Sequence, residues 1–250
     1  MKISHNQKVR TLQLINHILA PVGIFYSIYT KNYEYLFLSI VLLFFIGIVG
    51  INICYHRLLS HRSFETYNII EKIMSLVGVL STMGSPIAWV SVHRQHHLYT
   101  DTTKDPHSPK IKGALKIWFG FWGNVVIESR FVKDMLKDKF QKYLHQNYLK
   151  IILIYCLLLA LINPWLIVFC YCVPAFLLFH VSNGTTVISH IYGYKTYKTN
   201  DNSKNSWIGS LMTMGEGWHN NHHAHPLNWK SGEKWWEIDP TAWVINLIKK

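Results

Sequence analysis

The chain has 250 residues, half of them hydrophobic and only 15% charged, against roughly 25% charged in an ordinary soluble protein, which points to lipid as its solvent and excludes an ordinary soluble domain. Lys and Arg outnumber Asp and Glu by 25 to 13; in a membrane chain that excess marks a cytoplasmic face, attractive to anionic headgroups or acidic partners, rather than a nucleic-acid footprint. Cys54, Cys156, Cys170 and Cys172 lie in apolar runs without C-x-x-C spacing and read as free, buried thiols.

In chain order, two apolar runs near the ~20 residues of a bilayer-spanning helix cover about residues 11–29 and 35–54 and are joined by the short polar turn TKNYE, a helical hairpin. Lys2, Lys8 and Arg10 precede the first run, but Asn16, His17 and Pro21 interrupt it and no small-residue cleavage site follows, so an anchor is expected rather than a cleaved leader. The run 69–90 is broken by Gly78, Ser81, Thr82, Gly84 and Pro86, and the run 113–127 alternates Gly with aromatic residues. Both are open to lying in the interface instead of crossing. Lys133, Lys137, Lys139 and Lys142 form a basic run at helical spacing, read as a solvated helix face with docking of an acidic partner as the alternative. Residues 148–162 and 165–182, split by Asn163-Pro164, form a second hairpin.

The fifteen histidines are not spread evenly. HRLLSH holds His56 and His61, HRQHH holds His93, His96 and His97, and HNNHH holds His219, His222 and His223. On a helix, i, i+3 and i+4 share a face, so each H-x-x-H-H group can aim three ring nitrogens into one small volume. A spacing of five, as in His56 and His61, suits a helix end whose last turn unwinds. His5, His17, His107, His145 and His180 are isolated and read as surface or hydrogen-bonded rings. Common metal ions would require all three groups on one side of the membrane, hence an even number of crossings between them. The 69–90 run should therefore dip or lie flat, and four spans in two hairpins result. The far-side turns hold only Lys31, which puts both termini and the histidines in the cytoplasm. The fold expected is all-α and integral to the membrane: one domain over 1–250, with a histidine-rich helical cap from about 55–147 and 183–250. Eight clustered imidazoles exceed what one ion needs. A zinc-protease H-E-x-x-H is absent, while imidazole suits iron and copper as well as zinc.

The succession HRLLSHRSFE, VHRQHHLYTDTTKDPHSP and GEGWHNNHHAHP, with apolar hairpins before and between, resembles the membrane fatty-acid desaturases of the acyl-CoA desaturase type over about residues 47–227. The resemblance implies two iron ions, one held by His56, His61, His93, His97 and His222, the other by His96, His190, His219 and His223. His190, in SHIYGY, matches an isolated ninth histidine of that family. Where the family has a water-ordering Asn four residues earlier, this chain has Thr186; Asn183, one turn away, is the alternative. Asp101, Asp105 and Glu216, beside the boxes, are candidates to orient the rings, with a cap, a turn or a surface charge as the other reading. Trp89 matches a tryptophan that lines the acyl tunnel; an interfacial belt residue is its alternative.

The implied reaction removes two hydrogens from an unactivated acyl chain with O2 as co-substrate, because no protein acid or base can deprotonate such a carbon. The Arg-Asp pair that holds the coenzyme A headgroup in animal enzymes is Ser91-Val92 here, which weakens the case for acyl-CoA and leaves an acyl-lipid or another carrier open. A separate electron donor is expected, a ferredoxin or a b-type cytochrome with its reductase, with membrane lipids as the other partners. Two other classes compete: a membrane di-iron hydroxylase, and a non-enzymatic haem or metal-binding protein, whose histidines would sit inside the spans.

Overall fold

The apolar runs become long helices in the computed structural model, which describes residues 4–121, 123 and 126–250. Lys2 and part of the 113–127 run lie outside the described residues. α1 covers His5–Tyr29. Ser4 opens it with a capping box, its hydroxyl accepting from Gln7 N while the Gln7 side chain accepts from Ser4 N. α2, Tyr33–Ser60, is α-wound over Tyr33–Phe45 and then winds wide, as a π-helix, over Ile46–Ser60. α3 (Asn68–Val79) and α4 (Pro86–Tyr99) follow, then the short α5 (Pro109–Lys112) and α6 (Ala114–Trp118). α7 (Lys139–Gln146) bends by 71° into α8 (Tyr148–Ile162), and α9 runs Trp165–Ile191. α10 (Trp207–Thr213), α11 (His219–Ala224) and α12 (Pro240–Ile248) complete the chain. Among the described residues there is no strand, only isolated bridges such as Tyr194 with Asn205.

α1, α2 and α9 are long and apolar enough to cross a membrane, and a fourth crossing exists if the bent α7–α8 pair counts as one. α8 alone has 15 residues, about 22 Å of helix, short of the ~30 Å hydrocarbon core. At the histidine end the helices run on past the expected spans 35–54 and 165–182, α2 to Ser60 and α9 to Ile191. His56 and His190 thus stand on the same continuous helices as the apolar runs. α3 has 12 residues, about 18 Å, so the 69–90 run holds no spanning helix. Phe25, Phe37, Leu157 and Leu161 are each more than half exposed, an outward apolar surface that water would not tolerate at this density. The basic run also differs from expectation. Asp138 accepts from Phe140 N and Gln141 N and starts α7 there, so Lys133 and Lys137 sit in the turns before it and share no helix face with Lys139 and Lys142.

Close backbone approach fixes α3 against the π-wound part of α2. A Cβ on Gly50 would lie 2.6 Å from Gly78 Cα, whereas one on Gly47 would meet only the flexible end of Leu178, at 3.2 Å. Gly50→Ala is expected to cost about 1–3 kcal/mol by overpacking, and Gly47→Ala much less. Thermal midpoints of the two variants in one detergent check this; equal midpoints would refute the close contact.

Candidate metal centre

The π winding solves the geometry of the first box. Hydrogen bonds in such a helix run from residue i+5 back to i, and His61 N donates to His56 O at 3.2 Å. A spacing of five, splayed apart in an α-helix, therefore brings both rings together, with centroids 4.9 Å apart. Wide winding, not the expected unwinding, is the device. Arg94 of α4 donates to the carbonyls of Leu59 and Ser60 at 2.7 and 2.9 Å, which clamps α4 onto the end of α2. His61 Nε2 then lies 2.8 Å from His93 Nε2. From α11, His222 Nε2 comes within 3.0 Å of His56 Nε2 and 3.1 Å of His97 Nε2.

Ring nitrogens of His56, His61, His93, His97 and His222, one from each residue, all lie within 4.8 Å of one another; those of His96, His190, His219 and His223 form a second such set. Each H-x-x-H-H box thus divides between two neighbouring groups and does not aim three nitrogens at one point. Adjacent helical residues are rotated by about 100°, so His97 keeps company with His93, one turn back, while His96 faces the other group. His219 and His223 pair in the same way, and His222 faces across. The five isolated histidines lie outside both groups. His17 sits among Phe176, Phe179 and His180, and His5 rests on His145. His107 stacks on His96 at 4.3 Å and, with His96 and Asp105, forms a smaller third set of potential ligand atoms.

Carboxylates hold the far side of four rings. Nδ1 of His56 lies 2.5 Å from Glu216, Nδ1 of His96 3.0 Å from Asp105, Nδ1 of His190 3.2 Å from Asp101, and Nδ1 of His223 2.9 Å from Asp201. Burial alone would raise the Glu216 carboxyl; Arg57 and His56 outweigh it and hold it down at about 2. Asp105 is likewise opposed by burial and brought to about 2 by the hydrogen bond and charge of His96, and Asp101 is held below the usual carboxylate range chiefly by His190. An ionised carboxylate at Nδ1 accepts a proton-bearing nitrogen, which leaves the Nε2 lone pair facing inward. Burial, and then the neighbouring imidazoles, push His93, His97, His219, His222 and His223 well below the ordinary histidine range. The rings are therefore neutral, the form that ligates.

The donor set fits a metal. Nε2 of His96 and of His223 are buried without a hydrogen-bond partner, and His56 and His190, their protons committed to carboxylates, each point an Nε2 at another ring's Nε2 about 3 Å away. Lone pairs converging on one point repel unless a cation lies among them. These histidine groups can hold metal ions.

Beside the groups opens a cavity of about 200 Å³, lined on the apolar side by Ile51, Ala88, Trp89, Val92, Ile117 and Phe179 and reaching His56, His93, His96 and His219. Trp89 stacks on His93 with ring planes 16° apart. Asn183 and Thr186 line the same cavity. Asn183 donates to Trp118 O at 3.3 Å and Thr186 to Ser182 O at 3.2 Å, so in this arrangement both side chains are engaged with the protein itself.

Sequence reasoning missed Asp201, because TNDNS reads as any surface turn. It also missed Arg57, which is 1% exposed and bonds both Glu216 and Asp239. The two asparagines of HNNHH carried a usable signal, being poor helix formers at buried positions. Asn220 takes the amides of Thr196 and Tyr197, and Asn221 reaches Glu237 and Ser231 O. They tie α11 to the loops on either side, so its histidines cannot swing away.

The chain is similar to known proteins over most of its length. The fatty acid desaturase family model matches residues 35–246. An sn-2 palmitoyl-lipid 9-desaturase of Nostoc sp. (strain 36) is 37% identical over 222 residues, 81% of this chain and 74% of its own. An sn-1 stearoyl-lipid 9-desaturase of Anabaena variabilis is 33% identical, covering 91% of this chain and 86% of its own. An acyl-CoA 5-desaturase of Anemone leveillei is 35% identical, with 88% and 71% covered. With its histidine groups, apolar helices and near full-length similarity, the chain belongs to the fatty acid desaturase family.

Proposed function

We propose that this chain is an O2-dependent desaturase that introduces a cis double bond into a saturated long acyl chain at a di-iron centre. The observation that carries the reading is the pair of adjoining nitrogen-only groups, five and four histidines, opening on an apolar cavity. His56, His61, His93, His97 and His222 would hold one iron, and His96, His190, His219 and His223 the other. The irons would supply the redox chemistry that side chains lack: O2, two substrate hydrogens, two donor electrons and two protons balance to an alkene and two waters.

The chain's own residues do the rest. Asp101, Asp105, Asp201 and Glu216 fix the tautomer and direction of four rings. Trp89, stacked on His93, walls the cavity where the methylenes lie, and the apolar lining keeps water from the reacting carbons. Asn183 and Thr186, on the cavity wall next to the four-histidine group, are the side chains that would order a water there. One domain with four spans in two hairpins, and with both termini and the histidine cap in the cytoplasm, is supported by the scarcity of Lys and Arg at the two far-side turns. The electron donor is a separate protein, a ferredoxin or a b-type cytochrome with its reductase. The relatives' names include both acyl-lipid and acyl-CoA enzymes; Ser91-Val92 at the second box favours an acyl-lipid carrier.

Expression in a host lacking its own desaturase, followed by chromatography and mass analysis of total fatty acids, tests this directly. New chains lighter by two hydrogens are expected, with double-bond position and chain length read from the same sample. Chains heavier by one oxygen would replace the reading with a hydroxylase.

A further inference from the structure

Acid partners are divided unequally between the two histidine groups. In the four-histidine group three rings donate Nδ1–H to a carboxylate: His96 to Asp105, His190 to Asp101 and His223 to Asp201. Among the described residues no Lys or Arg forms an ion pair with any of these three acids. Neutral donors hold them instead: the amides of Asp101 and His107 on Asp105, Ser108 and Asn202 on Asp101, and Ser203 and Thr199 on Asp201. In the five-histidine group only His56 has such a partner, Glu216, and Arg57 shares that carboxylate at 2.8 Å. His61, His93, His97 and His222 have no carboxylate within ion-pair reach among the described residues.

A carboxylate that accepts Nδ1–H makes the opposite nitrogen a stronger donor and fixes the ring's aim. Its negative charge also attracts a buried dication across low dielectric, an attraction that a guanidinium on the same carboxylate offsets, here Arg57, which bonds the other oxygen of Glu216 and is shared with Asp239. The fifth imidazole of the larger group works in the opposite direction, but it adds a neutral donor where the smaller group has two further carboxylates, and among the described residues none of its three is in an ion pair with Lys or Arg; Lys195 bonds the main-chain oxygen of Asp201 and not its carboxylate. We infer that the four-histidine group binds its iron more tightly, so that the ions load and leave in order, with the five-histidine group filled last and emptied first. Asp101, Asp105 and Asp201 are the positioning residues that set this order, and the inference rests on the di-iron reading above.

The test uses the full chain in detergent, loaded without oxygen with isotopically enriched ferrous iron and equilibrated against increasing bipyridine. Iron per chain comes from metal analysis, and the two environments from their separate Mössbauer doublets. Wild type should release one equivalent before the other. Asp201→Asn and Asp105→Asn should each weaken the retained ion about 10–100-fold and leave the first step where it was, so that the two steps converge. Release of both ions in one wild-type step, a shift of the first step alone, or an equal shift of both steps as a general loosening would produce, would each overturn the inference and leave the di-iron reading standing. Iron content unchanged by both His97→Ala and His219→Ala would instead remove the di-iron reading, and this inference with it.

Discussion

Replacing His222 with Ala is expected to bring desaturation below detection and to lower bound iron from about two ions per chain toward one. His222 enters from α11, far along the chain from α2 and α4, yet its Nε2 lies 3.0 Å from that of His56 and 3.1 Å from that of His97. It is the piece that closes the five-histidine group, and it is 3% exposed, so water has little access to replace the missing nitrogen. His97→Ala should behave alike. His145→Ala and His17→Ala should keep both activity and iron, because His145 meets Ser85 and His5, His17 meets Gln13 O and aromatic neighbours, and neither belongs to a histidine group. Metal analysis beside a fatty-acid profile separates loss of iron from loss of protein. A His222→Ala chain with full iron and full product would sink the ligand assignment.

How much of this was legible in the sequence depended on whether a residue stood in or beside a recognisable motif. The three boxes could be read because histidine rarely repeats at helical spacing without a common target, and the hairpins because twenty apolar residues have few alternatives. The meeting of His56 with His61 could not be read, since it requires wide winding over Ile46–Ser60, a backbone state rare enough that no spacing rule anticipates it. Asp101, Asp105 and Glu216 were visible because they neighbour the boxes. Asp201, which does for His223 what Asp105 does for His96, stands beside none of the boxes, in a segment with the composition of a turn. Proximity along the chain was the whole of the signal. The Lys133–Lys142 run shows the reverse error: a helical period is empty of meaning where an N-cap, here Asp138, starts the helix partway through it.

Arg57→Met should be the most destabilising single change among the residues around the centre. The guanidinium is buried and lies between two carboxylates, donating to Glu216 at 3.0 Å through Nε and to Asp239 through both terminal nitrogens, with Trp229 O as a further acceptor at 2.7 Å. Removing one partner of such a buried set leaves uncompensated charge, at a cost of about 3–5 kcal/mol. Lys would not restore it, because a point ammonium cannot span Asp239 as a fork does. The consequence reaches the metal site, since Glu216 is also what orients His56, and Asp239 caps α12 by accepting from Ala242 N at 3.0 Å. Gly215 belongs to the same arrangement: its φ is +125° and a Cβ there would come within 2.2 Å of Asp239 Oδ1, which is why GEGW begins as it does. Thermal midpoint and monodisperse yield in detergent are the readouts. Combining Arg57→Met with Glu216→Gln and Asp239→Asn removes all three charges and should recover much of the stability, because the penalty lies in the unpaired acids and not in the missing methylenes. A single Arg57→Met variant that melts with wild type would show that this cluster holds neither the cap nor His56 in place.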